Sequence, residues 1–425
     1  MNYCYSRYNI VLKENNEYVY LYNSYTGALC KLEKNTHEYI SHNDFFNESC
    51  DHFDELLRQG FIIPHGLDEY NRIVLTEQIN KLSLNKKSIS YVIAPTLSCN
   101  LNCVYCFEDG VRENGIISEQ TIIDIADYIL KSLDFDTSSV FVNWFGGEPL
   151  IAYKRIEEFS KYIIPKLNDK GISYSSTMVT NGVLLTKDRA KVLKSECNIN
   201  KVQITVDGTK DVYCVRKKAS VKQFEQLMLN IKDILQFMQV SIRLNSDGDN
   251  FEDLKVITKE IYDNCNHSEN LSFYIAKLVD YTHCGGECFF SQDDFDKRRI
   301  EFEKYVCEIQ KKEYLPHILK SKRIFCGLYK LKNQVIGPHG EIYKCEHHVG
   351  NSEKIVGNIK CGLFYNDFLM KFMDSSHFEQ CKNCKILPIC LGGCPADKYE
   401  MLPGETCFYS EYLVRNMLSR FVAKD

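Results

Sequence analysis

Ten of the 20 cysteines in this chain are spaced as ligands rather than scattered. The segment TLSCNLNCVYCFEDG sets Cys99, Cys103 and Cys106 on one loop at C-x3-C-x2-C. Thiolates are the soft donors that zinc and iron-sulfur clusters take. Three of them on one loop hold three irons of a [4Fe-4S] cube and leave the fourth open, whereas electron carriers use four. A zinc loop or a group of buried thiols is the other reading of the same spacing. Further along, Cys326 and Cys345 precede Cys381, Cys384, Cys390 and Cys394 at C-x2-C-x5-C-x3-C, and Cys407 follows. Cys4, Cys30, Cys50, Cys197, Cys214, Cys265, Cys307 and Cys361 show no such logic and read as inert, mostly buried thiols.

Composition narrows the setting. The chain has 425 residues, 44% hydrophobic and 26% charged, enough for more than one core. A net charge of -5 with no basic run and interleaved aromatics argues against nucleic acid as a partner. The start lacks a basic segment followed by an apolar one, and no run approaches a membrane span, so a cytoplasmic protein without a membrane partner is expected. Cysteines in a large chain of that kind point to metal or redox chemistry rather than disulfides.

Elements must hold those cysteines. Residues 1–87 open with a hairpin-like pattern, NIVLKENNEYVYLYNSYTGALCKL, then a helix in FDELLRQG stopped by Gly60, then a short strand FIIP: a small winged-helix-like module. LSLNKKS is a polar linker. From residue 88 to about 318, strand-like runs alternate six times with amphipathic helices: ISYVIAPT, VFVNWFGG, YSSTMVTNG, KVQITVDG, VSIRLNSD and LSFYIAKL. The helices begin near Ser118, Tyr153, Thr186, Val221, Phe251 and Ser291. This is α/β patterning, and six units with polar, Gly or Cys residues at the strand ends fit a partial (β/α)6 TIM-like barrel. Residues 319–425 lose the long periodicities and read as a third domain stapled by metal.

At the strand ends the chain resembles the radical S-adenosylmethionine (radical SAM) superfamily. GGEP, from Gly146 to Pro149, resembles the segment that holds the methionine amino group: Gly146 and Gly147 allow close backbone approach and Glu148 faces an ammonium. TNG at Thr180 to Gly182, QITVDG at Gln203 to Gly208 and SIRLN match the third, fourth and fifth strand ends. The resemblance implies Cys99, Cys103 and Cys106 as ligands of the radical-generating cluster and Tyr105 beside adenine. It also implies Thr205 near the ribose or carboxylate, Arg216 at the carboxylate, and Asn181, Arg243 and Asn245 lining the cofactor site. A Gly-Gly-Glu-Pro is also a common turn, and strand-end polar residues also cap helices.

The C-terminal cysteines resemble the SPASM domain, which carries two auxiliary [4Fe-4S] clusters, three clusters in all. Carried over by position, one auxiliary cluster takes Cys381, Cys384, Cys390 and Cys407 and the other Cys326, Cys345 and Cys394. Lys332 stands where some relatives have a further cysteine, so the second set has three ligands. Cys284, Cys288, His347, His348 or a substrate thiolate are candidates for the fourth.

The resemblance implies S-adenosylmethionine as cofactor, a flavodoxin- or ferredoxin-type electron donor, and a peptide maturase. Residues 1–87 resemble a leader-peptide recognition module that accepts a strand, with Tyr18, Tyr20 and Tyr22 near that edge. The expected reaction is a cysteine thioether crosslink in a ribosomally made precursor, as in sactipeptide and ranthipeptide maturases. An anaerobic sulfatase-type maturase forming formylglycine is the alternative enzyme, and a non-catalytic metal-binding scaffold the alternative of another class. No residue is singled out as catalytic acid or base.

Overall fold

The computed structural model describes residues 2–42, 51–83, 87–279, 290–316, 318–374, 376–394, 396 and 407–422. The N-terminal part runs β1 (Tyr3–Tyr5), β2 (Asn9–Glu14), β3 (Tyr18–Asn23), β4 (Leu29–Glu33), α1 (Lys34–His42), α2 (Phe53–Gln59), β5 (Ile62–Pro64) and α3 (Glu69–Leu82). β2, β3 and β4 form an antiparallel meander, and β5 pairs with β1. The expected two-run hairpin therefore has a third strand. Asn23 makes the turn: its side-chain oxygen accepts from the backbone N–H groups of Tyr25 and Thr26 at 3.0 Å, and Gly27 follows at φ 78°. Gly60 stops α2 at φ 80°, where a Cβ would meet the Thr26 methyl at 2.6 Å.

The six expected barrel strands are β6 (Ser88–Ile93), β7 (Ser139–Trp144), β8 (Ser173–Thr180), β9 (Ile199–Thr205), β10 (Gln239–Ser246) and β11 (Leu271–Lys277). All are parallel and each pairs with the next. The helices between and after them are α4 (Glu119–Lys131), α5 (Tyr153–Asn168), α6 (Lys187–Cys197), α7 (Lys210–Lys217), α8 (Val221–Ile234), α9 (Phe251–Asn264) and α10 (Gln292–Ile309). Ser118, Thr186, Ser220 and Ser291 start four of them, each side chain accepting an otherwise orphaned backbone N–H. The sequence reading lacks α7, because its apolar residues, Val212 to Val215, are consecutive and show no helical period. Outward residues such as Val140, Val142 and Trp144 pack under the helices. The inner face encloses a cavity of about 700 Å³ that Ser90, Asn143, Thr177, Gln203, Ser241 and Tyr274, one from each strand, help to line. The sheet is curved but does not close, since β11 does not return to β6.

β12 (Gln334–Ile336) pairs in parallel with β6, and antiparallel β13 (Glu341–Tyr343), β14 (Gly357–Asn358) and β15 (Gly362–Leu363) extend the sheet. The barrel sheet thus crosses the expected boundary at 318/319. Val335, Ile336, Ile342 and Val356 are fully buried, so this part of the C-terminal region holds by apolar burial, not by metal alone. Strands of two or three residues carry no period, which is why the sequence hides them. The chain ends in α11 (Asp367–Met373), α12 (Leu387–Cys390) and α13 (Glu411–Val422). Among the described residues no helix is long and apolar enough to cross a membrane.

The N-terminal part is built into this C-terminal region. Lys81 of α3 and Glu77 are both buried and paired at 3.0 Å. The Lys81 ammonium also donates to the carbonyls of Met373 and Asp374 at 3.3 and 3.1 Å, where α11 leaves its last carbonyls unpaired. Arg415 and Lys13 tie β2 to α13 through the carbonyls of Val11 and Val422, whereas no strand lies beyond β4 among the described residues. Lys81→Met removes the buried cation that faces the Glu77 carboxylate and is expected to cost about 3–5 kcal/mol in chemical denaturation. Glu77→Leu with Lys81→Met removes both charges and is expected to recover most of that loss.

Candidate active site

β6 runs directly into the loop that carries the first three cysteines, and two backbone segments clamp it. The N–H groups of Gly147 and Glu148 donate to the carbonyls of Thr96 and Ser98 at 3.2 and 2.9 Å. On the other side, Asn102 and Val104 donate to the carbonyls of Lys217 and Arg216 at 3.2 and 3.0 Å. The first clamp explains the two glycines. A Cβ at Gly146 would lie 2.4 Å from the Thr96 carbonyl oxygen, and one at Gly147 2.4 Å from that of Ser98.

Glu148 is fully buried and knits strand ends together. Its carboxylate accepts from Thr180 Oγ1 and the Asn181 N–H, both at 2.8 Å, and from the Leu150 N–H at 3.1 Å. Burial pushes its pKa up to about 7 against those donors. A carboxylate has roughly four lone-pair sites, so one is left for an ammonium. The Asn181 amide donates to Asn100 Oδ1 at 2.8 Å and reaches Cys99 Sγ at 3.8 Å, bringing β8 to the cysteine loop.

The strongest polar network was invisible in the sequence. Tyr105 OH donates to Asp207, and the Lys217 ammonium donates to Tyr105 OH at 2.6 Å and pairs with Asp207 at 2.9 Å. Asp207 Oδ1 also accepts from the Asn245 N–H at 3.0 Å. Burial, the largest single effect, works to discharge Lys217, but the Asp207 charge and hydrogen bond together with Cys103 and Tyr213 outweigh it and raise its pKa. Asp207 lies in the quoted strand end, yet Lys217 lies on α7, and only the fold joins them. Arg216 pairs with Asp247 at 2.7 Å, leaving its buried Nε without a partner. Arg243 donates to Asn245 at 2.9 Å and stands beside Thr205 in the register of β9 and β10. Two more residues went unread. Arg112 donates to Leu101 O and Asn102 Oδ1 at 3.1 and 2.9 Å and faces the Cys106 thiol. Glu108 is buried with a carboxylate oxygen that bonds nothing, and burial pushes its pKa up to about 7.

Several of the C-terminal cysteines face one another. Cys345 faces Cys394 and Cys326; Cys390 faces Cys381 and Cys407, and Cys384 faces Cys407. Backbone N–H groups point at Cys99, Cys326, Cys345, Cys384 and Cys390, the arrangement that stabilises cluster sulfurs. Among the described residues no three Cys, His, Asp or Glu side chains converge on one ion. A cube asks for less convergence, because each iron takes its own cysteine. Of the candidate fourth ligands, Cys284 and Cys288 lie outside the described residues. His347 packs its ring 4.5 Å from Phe107, and His348 is buried against Phe368 and Phe372.

Buried thiols hold their protons. Burial pushes Cys99 and Cys390 up to about 11, and raises Cys103, Cys326, Cys345 and Cys384 as well. Each must lose a proton to bind iron. Iron and sulfide loading of the apoprotein is therefore expected to acidify a weakly buffered solution at pH 7 and to become more favourable as pH rises, read by indicator dye and iron-sulfur absorbance. Removing both buried charges with Asp207→Asn and Lys217→Met is expected to leave the fold intact yet weaken S-adenosylmethionine binding about tenfold, as loss of a charge-assisted tether on Tyr105 should; equilibrium dialysis checks it.

Comparison with known proteins agrees with this geometry. Residues 93–261 match the family model for the Radical SAM superfamily. The cysteine-type anaerobic sulfatase-maturating enzyme of Clostridium novyi is 27% identical over 376 residues, 75% of this chain and 91% of that protein. The radical SAM cyclopropyl synthase TigE of Paramaledivibacter caminithermalis is 23% identical over 443 residues, 92% of this chain and 89% of TigE. The crystal structure of Streptococcus suis SuiB bound to its precursor peptide SuiA shares the fold with a TM-score of 0.54 at 13% identity, over 96% of this chain and 99% of SuiB. A cysteine loop clamped between strand ends, and a family match across the same strands, show a radical SAM domain over residues 93–261, of a superfamily that uses S-adenosylmethionine and a [4Fe-4S] cluster.

Proposed function

We propose that this enzyme is a peptide maturase that installs a cysteine thioether crosslink in a ribosomally made precursor. One observation carries the reading. The barrel cavity of about 700 Å³ is lined by all six strands and also by Cys326, Gly327 and Leu328. Substrate bound there would lie inside the strands whose first member leads into the cysteine loop, and against Cys326 of the set of Cys326, Cys345 and Cys394, which has three thiols where a cube takes four ligands.

Cys99, Cys103 and Cys106 would hold the cluster, which, fed one electron by a flavodoxin- or ferredoxin-type donor, would supply with bound S-adenosylmethionine the radical chemistry that removes one hydrogen atom from the substrate. The chain's own residues orient and seal. Arg216 Nε is available to the cofactor carboxylate, Glu148 to its ammonium and the Tyr105 ring to adenine, with Thr205, Asn181, Arg243 and Asn245 around them. The net change replaces one C–H and one S–H bond by a C–S bond. One hydrogen leaves in 5'-deoxyadenosine, the thiol proton is released, and one electron needs an acceptor. Two further clusters, at Cys326, Cys345 and Cys394 and at Cys381, Cys384, Cys390 and Cys407, would supply it.

Residues 1–87 would hold the leader, added as a strand along β4, the meander edge that α13 does not cover. SuiB, which shares the fold over nearly the whole chain, is bound to a precursor peptide in its structure. The similarity to the Clostridium novyi enzyme favours a second reading, oxidation of a cysteine or serine to formylglycine.

Co-expression with a short cysteine-rich precursor encoded nearby tests the proposal. The expected product has lost two hydrogens per crosslink and one alkylatable thiol, and a leaderless precursor stays unmodified. Unchanged peptide alongside intact S-adenosylmethionine cleavage counts against it, and a product that has lost sulfur and reacts with a hydrazide supports the formylglycine reading. Precursor truncation is the cleaner probe, because deleting residues 1–85 would also remove the buried Lys81 contact.

A further inference from the structure

The N-terminal part forms one wall of the Cys381, Cys384, Cys390 and Cys407 site. Arg7 Nη2 donates to Asn383 Oδ1 at 3.1 Å, and Ser24 Oγ to the Lys385 carbonyl at 2.5 Å, so the residues on either side of Cys384 are held from residues 7 and 24. Between β1 and β2, Tyr8 packs with Ile73, Leu387 and Leu391 in one apolar cluster against which Cys381 and Cys384 also lie. Tyr25 stacks on its ring at 6.3 Å. Tyr8 is 0% exposed, and its hydroxyl has no hydrogen-bond partner among the described residues.

A phenol O–H shut away from water without an acceptor is costly, and native proteins seldom leave one. The side chains packed in that cluster are aliphatic residues, aromatic rings and cysteines, with the charges of Arg7, Glu69 and Asp68 also acting on Tyr8. The acceptor that fits is sulfur from a group bound among them. We propose that Tyr8 donates its hydroxyl hydrogen to a sulfur of the iron-sulfur cluster held by Cys381, Cys384, Cys390 and Cys407, and so sets that cluster's reduction potential from the N-terminal module. The inference rests on the reading of those four cysteines as cluster ligands. Hydrogen bonds to cluster sulfurs favour the reduced, more negative form and raise the potential, while an apolar wall without a donor lowers it. The part of the chain proposed to hold the leader therefore also tunes the centre proposed to carry electrons. Ser6 and Arg7, next to Tyr8, are fixed to α3 by Glu69, which accepts from Ser6 Oγ at 2.6 Å and the Arg7 N–H at 2.9 Å.

The test uses the full chain with Cys99, Cys103 and Cys106 changed to Ala, so that only auxiliary clusters remain, and follows a reductive titration by electron paramagnetic resonance. Tyr8→Phe keeps the ring and removes an oxygen that bonds nothing among the described residues, so folding is preserved. The expected result is unchanged iron content and one of two signals shifted about tenfold toward the oxidised form, about 59 mV lower for one electron. Tyr25→Phe, which alters the same aromatic stack but no buried orphan, is expected to leave both midpoints in place. Two midpoints unmoved by Tyr8→Phe at full iron content would overturn the hydrogen bond while leaving the cluster assignment standing. A parent protein holding only one cube's worth of iron, lost on Cys326→Ala and not on Cys384→Ala, would overturn the cluster reading and the proposal with it.

Discussion

Every functional position in this enzyme is measured from a few backbone hydrogen bonds that hold the cysteine loop. Gly147 and Glu148 continue the pairing of β7 with β6 beyond the end of the sheet, onto Thr96 and Ser98. The approach leaves no space for a Cβ at residues 146 and 147, so two glycines are a steric requirement. The end of α7 closes the other side through Asn102 and Val104. Three thiols on a loop this short could point anywhere; two clamps give them one direction.

Buried charge pairs fix the same architecture at longer range. Lys217 with Asp207 and Arg216 with Asp247 join elements that the chain separates, and Lys81, paired with Glu77 one turn away, anchors α3 on the end of α11. A buried ion pair adds little net stability, but a misplaced partner leaves an uncompensated charge, which is far more costly. Such pairs therefore penalise wrong registers. Around Tyr105 this fixes an aromatic ring whose position a loop alone would not define.

Continuity between modules follows from the same economy of exposed edges. β12 occupies the open edge of β6, so the C-terminal cysteines are attached to the barrel by a strand rather than a linker. Cys326 thereby reaches the cavity of the barrel, and α3 reaches the far side of the C-terminal region. Peptide recognition, radical chemistry and auxiliary electron transfer, as proposed here, would share one packed body instead of three beads.

By itself the sequence determined the barrel strands, the capped starts of three helices at Ser118, Thr186 and Ser291, and the cysteine spacings, because period, capping and metal spacing are local properties of the chain. It also marked Gly60 and the GGEP glycines, where one missing Cβ has a definite geometric use. It did not contain α7, whose apolar residues are consecutive, nor β12–β15, too short to show alternation. Only the tertiary structure brought Lys217 to Asp207 and Tyr105, set Lys81 against the end of α11, and left Tyr8 without an acceptor beside Cys384. Those are meetings of residues far apart in the chain, decided by which surfaces pack, and a lone lysine or tyrosine carries no sign of the charge or sulfur it will face.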